Sequence, residues 1–482
     1  MKTKFKIGFY SVPGICLLVL LSNPLFAQKK VWSLKDCLDL AYHYNVSLNQ
    51  QRLTTRVSKI NYEQAKANVL PTLNFSDAQS FSFGNVAYTS GSQVVRTNST
   101  TNDASLNAGY TLYNGFKLKN LIREYKAYAE ASELDIEKQK NDLTLNITAA
   151  YMQVLYQYDA ITIAQHVVEA DSAQVVKTAK FVSVGQLAES NLIQIRAQLS
   201  ADKVAIVNAE NQLQLAKVTL MQLMEKPVTA VFDVERPPSV DMPETTLISP
   251  ETVYQKAEDI LPEIKSASLK TRAVEADLEV SRASVLPVLT LNGSLSTEYF
   301  SNLKRNSYTT TYQNQTIGYL QSNQGETVTG SVPLTSTTTR NYPFFSQFRD
   351  NFSQVVGVNL SIPLFNNYRG INTIRIARIA VENAKLNEQA VKNQLRKNVE
   401  LAVTDRDAAL KNYHATIDQL DYETRAYADM EKKYSVGLAS TTDLLVEKTN
   451  FYKVSLASLQ AKYEFIFKSK VVDFYNGIPI SQ

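Results

Sequence analysis

Residues 356–364 are Val-Gly-Val-Asn-Leu-Ser-Ile-Pro-Leu, the stretch of the chain most informative about its fold. Apolar side chains alternate along it with polar or small ones, which is typical of a β-strand with one apolar face. The same alternation occurs 252 residues earlier, where residues 104–112 are Ala-Ser-Leu-Asn-Ala-Gly-Tyr-Thr-Leu. A matching strand in each half of the chain indicates a tandem duplication.

The duplication extends well beyond this strand. Val-Leu-Pro-Thr-Leu at 69–73 recurs as Val-Leu-Pro-Val-Leu at 285–289, and Ser-Val-Gly at 183–185 recurs at 435–437. Each copy therefore predicts the same order of elements: a short helix that ends at Leu-Pro, two strands, a very long helix that ends before a glycine, and a returning helix.

The long helices are predicted from two proline-free stretches, at about 116–183 and 369–435. Apolar or small residues recur in the first of them at steps of three, four and seven, which indicates a coiled-coil-like seam. At a rise of 1.5 Å per residue such a helix is roughly 100 Å long, too long for the core of one compact domain. The remaining helices are predicted at about 45–70, 187–225, 261–286 and 438–470.

These elements divide the chain into three parts. We predict a signal peptide at 1–27, a first structural repeat at 28–240 and a second at 241–482. The barrel strands are predicted at about 72–88, 101–114, 288–300 and 352–366. The second repeat carries an insertion rich in Ser, Thr, Asn and Gln between its strands, which predicts a long exposed loop. The proline-rich stretch 226–260 predicts a belt of loops.

The first 27 residues have the pattern of a secretory signal. Three lysines precede a short apolar run at 15–21, and Ala27 provides a small residue at the cleavage position. No later stretch predicts a membrane-spanning helix. Removing those three lysines from the 50 basic residues leaves 47 against 46 acidic ones, so the chain lacks the basic excess of a nucleic-acid-binding protein.

Four strands with one apolar face, in an exported chain, suggest a membrane pore. An open sheet cannot lie in lipid because its edges leave backbone groups unpaired, and outer-membrane barrels begin at eight strands. Two or more chains would close a barrel of eight, twelve or sixteen strands. The side chains predicted to face lipid are Leu106, Tyr110, Val358, Leu360 and Ile362. The alternative is a periplasmic coiled-coil scaffold or adaptor with a small soluble sheet and no pore.

The sequence resembles the TolC-like outer membrane efflux family. The resemblance rests on the two Leu-Pro junctions, on Leu-Tyr-Asn-Gly at 112–115 and Pro-Leu-Phe-Asn at 363–366, and on Tyr-Ser-Val-Gly-Leu at 434–438. It implies a mainly α-helical α+β fold. Four strands from each chain of a homotrimer would form a twelve-stranded β-barrel, and the helices a periplasmic α-helical barrel with an equatorial belt.

The resemblance also implies a function and a location. The protein would be a passive exit duct in the outer membrane, extending into the periplasm. It would serve a tripartite efflux or type I secretion system that exports small molecules or peptides. Its partners would be outer-membrane lipid, a periplasmic adaptor and an inner-membrane pump of the RND or ABC type.

Two groups of residues acquire roles from this resemblance. The adaptor-docking tip would comprise Val184, Gly185, Val436, Gly437 and Leu438. Asn191, Tyr434 and Asp443 would form the entrance constriction, with three copies of Asp443 forming an acidic ring. Simpler roles remain open: the glycines stop helices, Asp443 belongs to a capping box with Ser440, and Tyr434 either bonds Asn191 or only packs between helices.

No pattern in the sequence indicates an enzyme. The three histidines are scattered, and phosphate-binding glycine loops, Gly-x-Ser-x-Gly and Cys-x-x-Cys motifs are missing. Cys37 is the only cysteine after the signal segment, which excludes an internal disulfide. We therefore expect no catalytic site, no cofactor and no metal centre.

Overall fold

A computed structural model describes residues 31–87, 94–96, 98–227, 232–236, 242, 248–319 and 325–480. The predicted signal peptide lies outside these residues. The helices in the described residues are α1 (Leu34–Tyr44), α2 (Val46–Ala67), α3 (Lys117–Ser183), α4 (Glu189–Leu223), α5 (Pro250–Ile260), α6 (Pro262–Arg282), α7 (Phe344–Asp350), α8 (Arg369–Ser435) and α9 (Thr441–Tyr475). The strands are β1 (Val31–Trp32), β2 (Thr72–Ser82), β3 (Asn85–Ala87), β4 (Val94–Arg96), β5 (Ser99–Tyr113), β6 (Asp233–Val234), β7 (Val288–Phe300), β8 (Lys304–Tyr319), β9 (Thr327–Asn341) and β10 (Ser353–Ser361).

The chain forms two compact units, and each combines segments from both sequence repeats. The helical unit contains the described residues of 1–52, 135–264 and 391–482. The strand-bearing unit contains those of 53–134 and 265–390. None of the described helices is both long and apolar enough to cross a membrane.

The helical unit has its largest apolar core where α1, the start of α2, α3, α4 and α9 pack together. Leu48, Ile147, Leu220 and Ile466 are fully buried there. Burying a side chain of this size contributes about 1.5–3 kcal/mol relative to leaving it in water. The two-residue strands β1 and β6 pair in parallel against this core, which fastens the start of the described chain to the segment after α4.

The strand-bearing unit is built on a four-stranded antiparallel sheet in the order β10-β7-β5-β2. β7 has the predicted bounds, whereas β2 ends at Ser82 rather than near residue 88 and β10 ends at Ser361 rather than near residue 366. The predicted long loop contains instead the hairpin β8–β9, with register pairs from Lys304–Asn341 to Tyr319–Thr327. Thr is the most frequent residue of the insertion, and this β-branched residue favours strands, which explains the difference.

Candidate functional site

The four-stranded sheet has one apolar face, set by the alternation found in the sequence. Val358, Leu291 and Tyr110 form one row across β10, β7 and β5, and Leu106 lies between Leu295 and Phe75. The side chains that share this face are Leu73, Phe75, Leu106, Tyr110, Leu289, Leu291, Leu295, Val356, Val358 and Leu360.

Much of this face is exposed in the single chain. Leu360 is 59% exposed and Phe75 71% exposed. An exposed apolar surface of this kind marks a membrane or protein contact. Four of the five residues predicted to face lipid are on it. Ile362 is not on the strand, because β10 ends one residue before it.

The opposite face of the sheet is polar. The hydroxyl groups of Ser76 and Ser105 form a hydrogen bond of 2.8 Å, and the hydroxyl of Ser294 donates to Asn107 Oδ1 at 2.8 Å. Asn359 is on this face, beside Thr290. Hydroxyl and amide groups that bond one another in this way remain compatible with water, so the sheet has one face suited to lipid and one suited to a wet lumen.

Aromatic pairs lie where β5 and β10 lead into the long helices. Tyr113 packs edge-to-face on Phe116, and Phe365 does the same on Tyr368, both with ring centroids 5.6 Å apart. Gly115 between the first pair has φ +65°, and a Cβ there would lie 2.8 Å from Leu286. Aromatic girdles of this kind flank the apolar band of outer-membrane barrels.

In the helical unit, α3 and α8 each end at a glycine with positive φ. Gly185 has φ +74° and Gly437 has φ +79°, a conformation that glycine adopts without steric cost. The amide of Gln186 donates to the carbonyl of Phe181 at 2.9 Å, and Leu438 donates to Lys433 at the same distance. Both ends are thus Schellman caps, as the copied sequence predicts.

The residues beside these caps are apolar and exposed. Val184 is 68%, Val436 70% and Leu438 79% exposed to solvent. We call these three residues, together with Gly185 and Gly437, the tip.

Tyr434 is buried just inside the tip. Its hydroxyl lies 3.3 Å from Thr178 Oγ1 and 3.4 Å from Thr441 Oγ1, and Thr441 donates to Asn191 Oδ1 at 3.0 Å. Of the two roles left open for Tyr434, a direct bond to Asn191 is not found, because Thr441 stands between them. The ring itself packs with Ile195 and Leu444, so the packing role is confirmed.

Asp443 caps the start of α9. Its carboxylate accepts from the amide and the hydroxyl of Ser440, and Ser440 in turn accepts from the amide of Asp443 at 3.1 Å. These bonds from Ser440 hold the pKa of Asp443 below its ordinary value. The predicted capping box is confirmed, and the carboxylate is fully ionised at neutral pH.

The comparisons with known proteins agree on one family. The sequence profile described as "Outer membrane efflux protein" matches residues 37–225 and 253–466, most of the chain. The chain belongs to the outer membrane efflux protein family.

Relatives of this outer membrane efflux protein align over nearly the whole chain. The outer membrane efflux protein BepC of Brucella suis is 20% identical over 94% of this chain and 87% of its own. The outer membrane protein TolC of Escherichia coli is 23% identical over 85% and 74%. Among solved structures, the Campylobacter jejuni CmeC outer membrane channel covers 92% of this chain and 86% of its own with a TM-score of 0.73 at 17% identity.

The structure of the efflux protein also shows a charged cluster that the sequence analysis missed. Lys448 of α9 contacts Asp171 of α3 and Asp202 of α4 in the interior of the helical unit. Each occupies a seam position, at three-, four- or seven-residue spacing from buried neighbours such as Val167, Ile195 and Leu444. Charged residues at seam positions, which are normally apolar, were the signal for this cluster. No group of three or more His, Cys, Asp or Glu side chains that could hold a metal occurs in the part of the chain described.

Proposed function

We propose that this efflux protein is the passive exit duct of a tripartite efflux or type I secretion system. The observation that supports this most is the two-faced sheet. Its apolar face is exposed in one chain, its other face is polar, and β2 and β10 are its outer strands in the described residues. Such a sheet is stable in lipid only when its edges are paired with further strands.

Further copies of the same chain supply those strands. β2 and β10 run antiparallel within the sheet, so β10 of one copy can pair with β2 of the next in the same antiparallel sense as every other pair. Three copies give twelve strands, the number that the resemblance to the TolC-like family implies. The polar faces then line a lumen that takes up small molecules or peptides with little selection of its own.

The tip is the proposed docking surface for a periplasmic adaptor, which connects the duct to an inner-membrane pump of the RND or ABC type. Exposed valines and a leucine beside rigid helix caps support this role, since they present apolar surface without a conformational change. Asn191, Tyr434 and Asp443 lie at or just inside the same end and are the proposed entrance constriction.

Charge placed on either face of β10 tests the duct. Leu360→Arg sets a guanidinium on the apolar face, and Asn359→Arg sets the same group on the polar face one residue away. If the apolar face contacts lipid near mid-bilayer, Leu360→Arg costs about 2–4 kcal/mol and reduces the amount of assembled protein in the outer membrane. Asn359→Arg assembles normally and changes only the ion selectivity of the pore in planar bilayers. Equal assembly of both variants, or release of the wild type by a carbonate wash, would instead support the scaffold.

A further inference from the structure

Three charged side chains meet inside the helical unit, where α3, α4 and α9 pack together. The ammonium of Lys448 lies 2.5 Å from Asp202 Oδ2 and also contacts Asp171 Oδ1. The side chains of Lys448, Asp171 and Asp202 are only 6%, 4% and 12% exposed. Water therefore screens them little, and each charge must be balanced by its neighbours.

The charges in this cluster do not balance when all three groups are ionised. Two carboxylates face one ammonium, which leaves one negative charge in the interior. Asp171 Oδ2 is also buried without a hydrogen-bond partner among the described residues. A proton on Asp171 removes the excess charge and turns the unpaired oxygen into a donor, with Asp202 within hydrogen-bonding reach as the acceptor.

The surroundings favour the proton on Asp171 rather than on Asp202. Burial, with the neighbouring Asp202, raises the pKa of Asp171 to about 7. Burial also acts on Asp202, but hydrogen bonds with Asp171, Lys448 and Gln198 lower its pKa below the ordinary value. The other titratable groups facing the cluster are Tyr427 of α8 and Tyr452 of α9, and burial raises the pKa of both, so neither ionises near neutral pH.

The cluster lies next to the proposed entrance. Asp171 is twelve residues before the end of α3, about 18 Å along the helix. Between it and the tip, the hydroxyl groups of Thr178, Tyr434 and Thr441 form a second link among α3, α8 and α9. The charged cluster and this hydroxyl link thus both connect α9 to α3.

We propose that Asp171, Asp202 and Lys448 form a proton-dependent clasp that keeps α9 packed on α3 and α4 and so holds the entrance closed. With the proton bound, the cluster is neutral and fully hydrogen-bonded. When the proton is lost, a buried net charge remains and α9 loosens. The consequence for the entrance rests on the proposed function, whereas the clasp itself belongs to the helical unit alone.

The sign of the pH dependence follows from the shift of Asp171. Its folded-state pKa lies above the ordinary value of 3.8, so the stabilising proton is retained at low pH and is lost as the pH rises through about 7. Between pH 6 and pH 8 the population of locally opened α9 should therefore rise about tenfold.

Hydrogen exchange of the assembled full-length protein in detergent measures this opening. Peptides covering the first half of α9 are compared at pH 6 and pH 8 after correction for intrinsic exchange rates. The wild type should lose about tenfold protection at pH 8. Asp171→Asn should stay protected at both values, because its amide keeps a donor and removes the excess charge. Protection of the wild type that is independent of pH would overturn the clasp.

Two further variants separate the clasp from a general loss of stability. Lys448→Met leaves two buried carboxylates without a cation and should expose the start of α9. Adding Asp171→Asn and Asp202→Asn to it should restore protection, because all charge is then gone. Lys468→Met is the matched control, since Lys468 lies on the same helix and pairs with Asp405 at 2.6 Å near the surface. The proposal would be overturned if Lys448→Met and Lys468→Met reduced the protection of α9 amides against hydrogen exchange equally.

Conductance of the reconstituted protein tests the entrance. Conductance that increases from pH 6 to pH 8 in the wild type, but not in Asp171→Asn, supports the link between clasp and entrance. Pores with the same conductance at both pH values overturn that link while leaving the duct intact. If no pores form at pH 6 and none form at pH 8, the result contradicts the proposed function instead.

Discussion

At the residue scale, Gly437 is the position where backbone geometry matters most for the tip. Its φ of +79° is costly for other residues, although a Cβ there would meet no atom within 4 Å. Gly437→Val should therefore destabilise the end of α8 by about 1–2 kcal/mol through backbone strain alone. Gly437→Asn is the matched control, because Asn tolerates this conformation better. The measurement is hydrogen exchange of peptides ending near residue 437. Equal effects of Val and Asn would show that packing, and not φ, is what matters there.

A residue's role could be predicted from the sequence when its partners lie a few positions away along the chain. It could not be predicted when the partners are far away in the sequence. Gly437 and the capping box of Ser440 and Asp443 involve groups a few positions apart, so their patterns are visible in the sequence. The Thr441 link between Tyr434 and Asn191 joins three helices and was not foreseen. The same holds for Lys448, whose partner Asp202 is 246 positions away along the chain.

At the element scale, Gln347 is the anchor that joins the β8–β9 insertion to the sheet. It is fully buried, its amide nitrogen donates to the carbonyls of Phe300 and Tyr342, and its oxygen accepts from the Phe300 amide. Gln347→Ala leaves these backbone groups unpaired at about 1–3 kcal/mol for each buried group. We expect faster cleavage of the insertion by added protease, with the four-stranded sheet still assembled. Ser346→Ala is the control, because among the described residues no side-chain hydrogen bond of Ser346 anchors the insertion. Equal cleavage of both variants would contradict the anchor.

Helices and strands could be predicted where a single sequence pattern continues without interruption. The long helices were predicted at 116–183 and 369–435 and are found at Lys117–Ser183 and Arg369–Ser435, because proline is missing within them and glycine ends them. The β8–β9 hairpin was not predicted, since Ser and Asn, which are typical of turns and loops, alternate there with the strand-favouring Thr residues. Its strands become evident only from the pairing of β8 with β9. Helix α5 was hidden for a similar reason, lying in the proline-rich stretch expected to be loops.

At the scale of the whole molecule, the outer strands of the sheet decide whether the proposed duct can consist of a single chain. A sheet in order β10-β7-β5-β2 leaves one row of backbone groups on β10 and one on β2 without a partner in the same sheet of the described chain. Each unpaired group costs several kcal/mol in lipid. The proposed duct therefore requires that β10 of one copy pair with β2 of the next.

This pairing predicts the exchange behaviour of the assembled protein. The amides of β2 and β10 should be as well protected in detergent-extracted oligomer as those of the inner strands β5 and β7, because every strand then has two neighbours. In a dissociated chain, the amides along the free edges of β2 and β10 should exchange first while β5 and β7 stay protected. Hydrogen exchange resolved by peptide, on oligomer and on acid-dissociated chain, makes the comparison. Fast exchange of β2 and β10 in the oligomer would mean that the sheet stays open and that the chains associate through their helices alone.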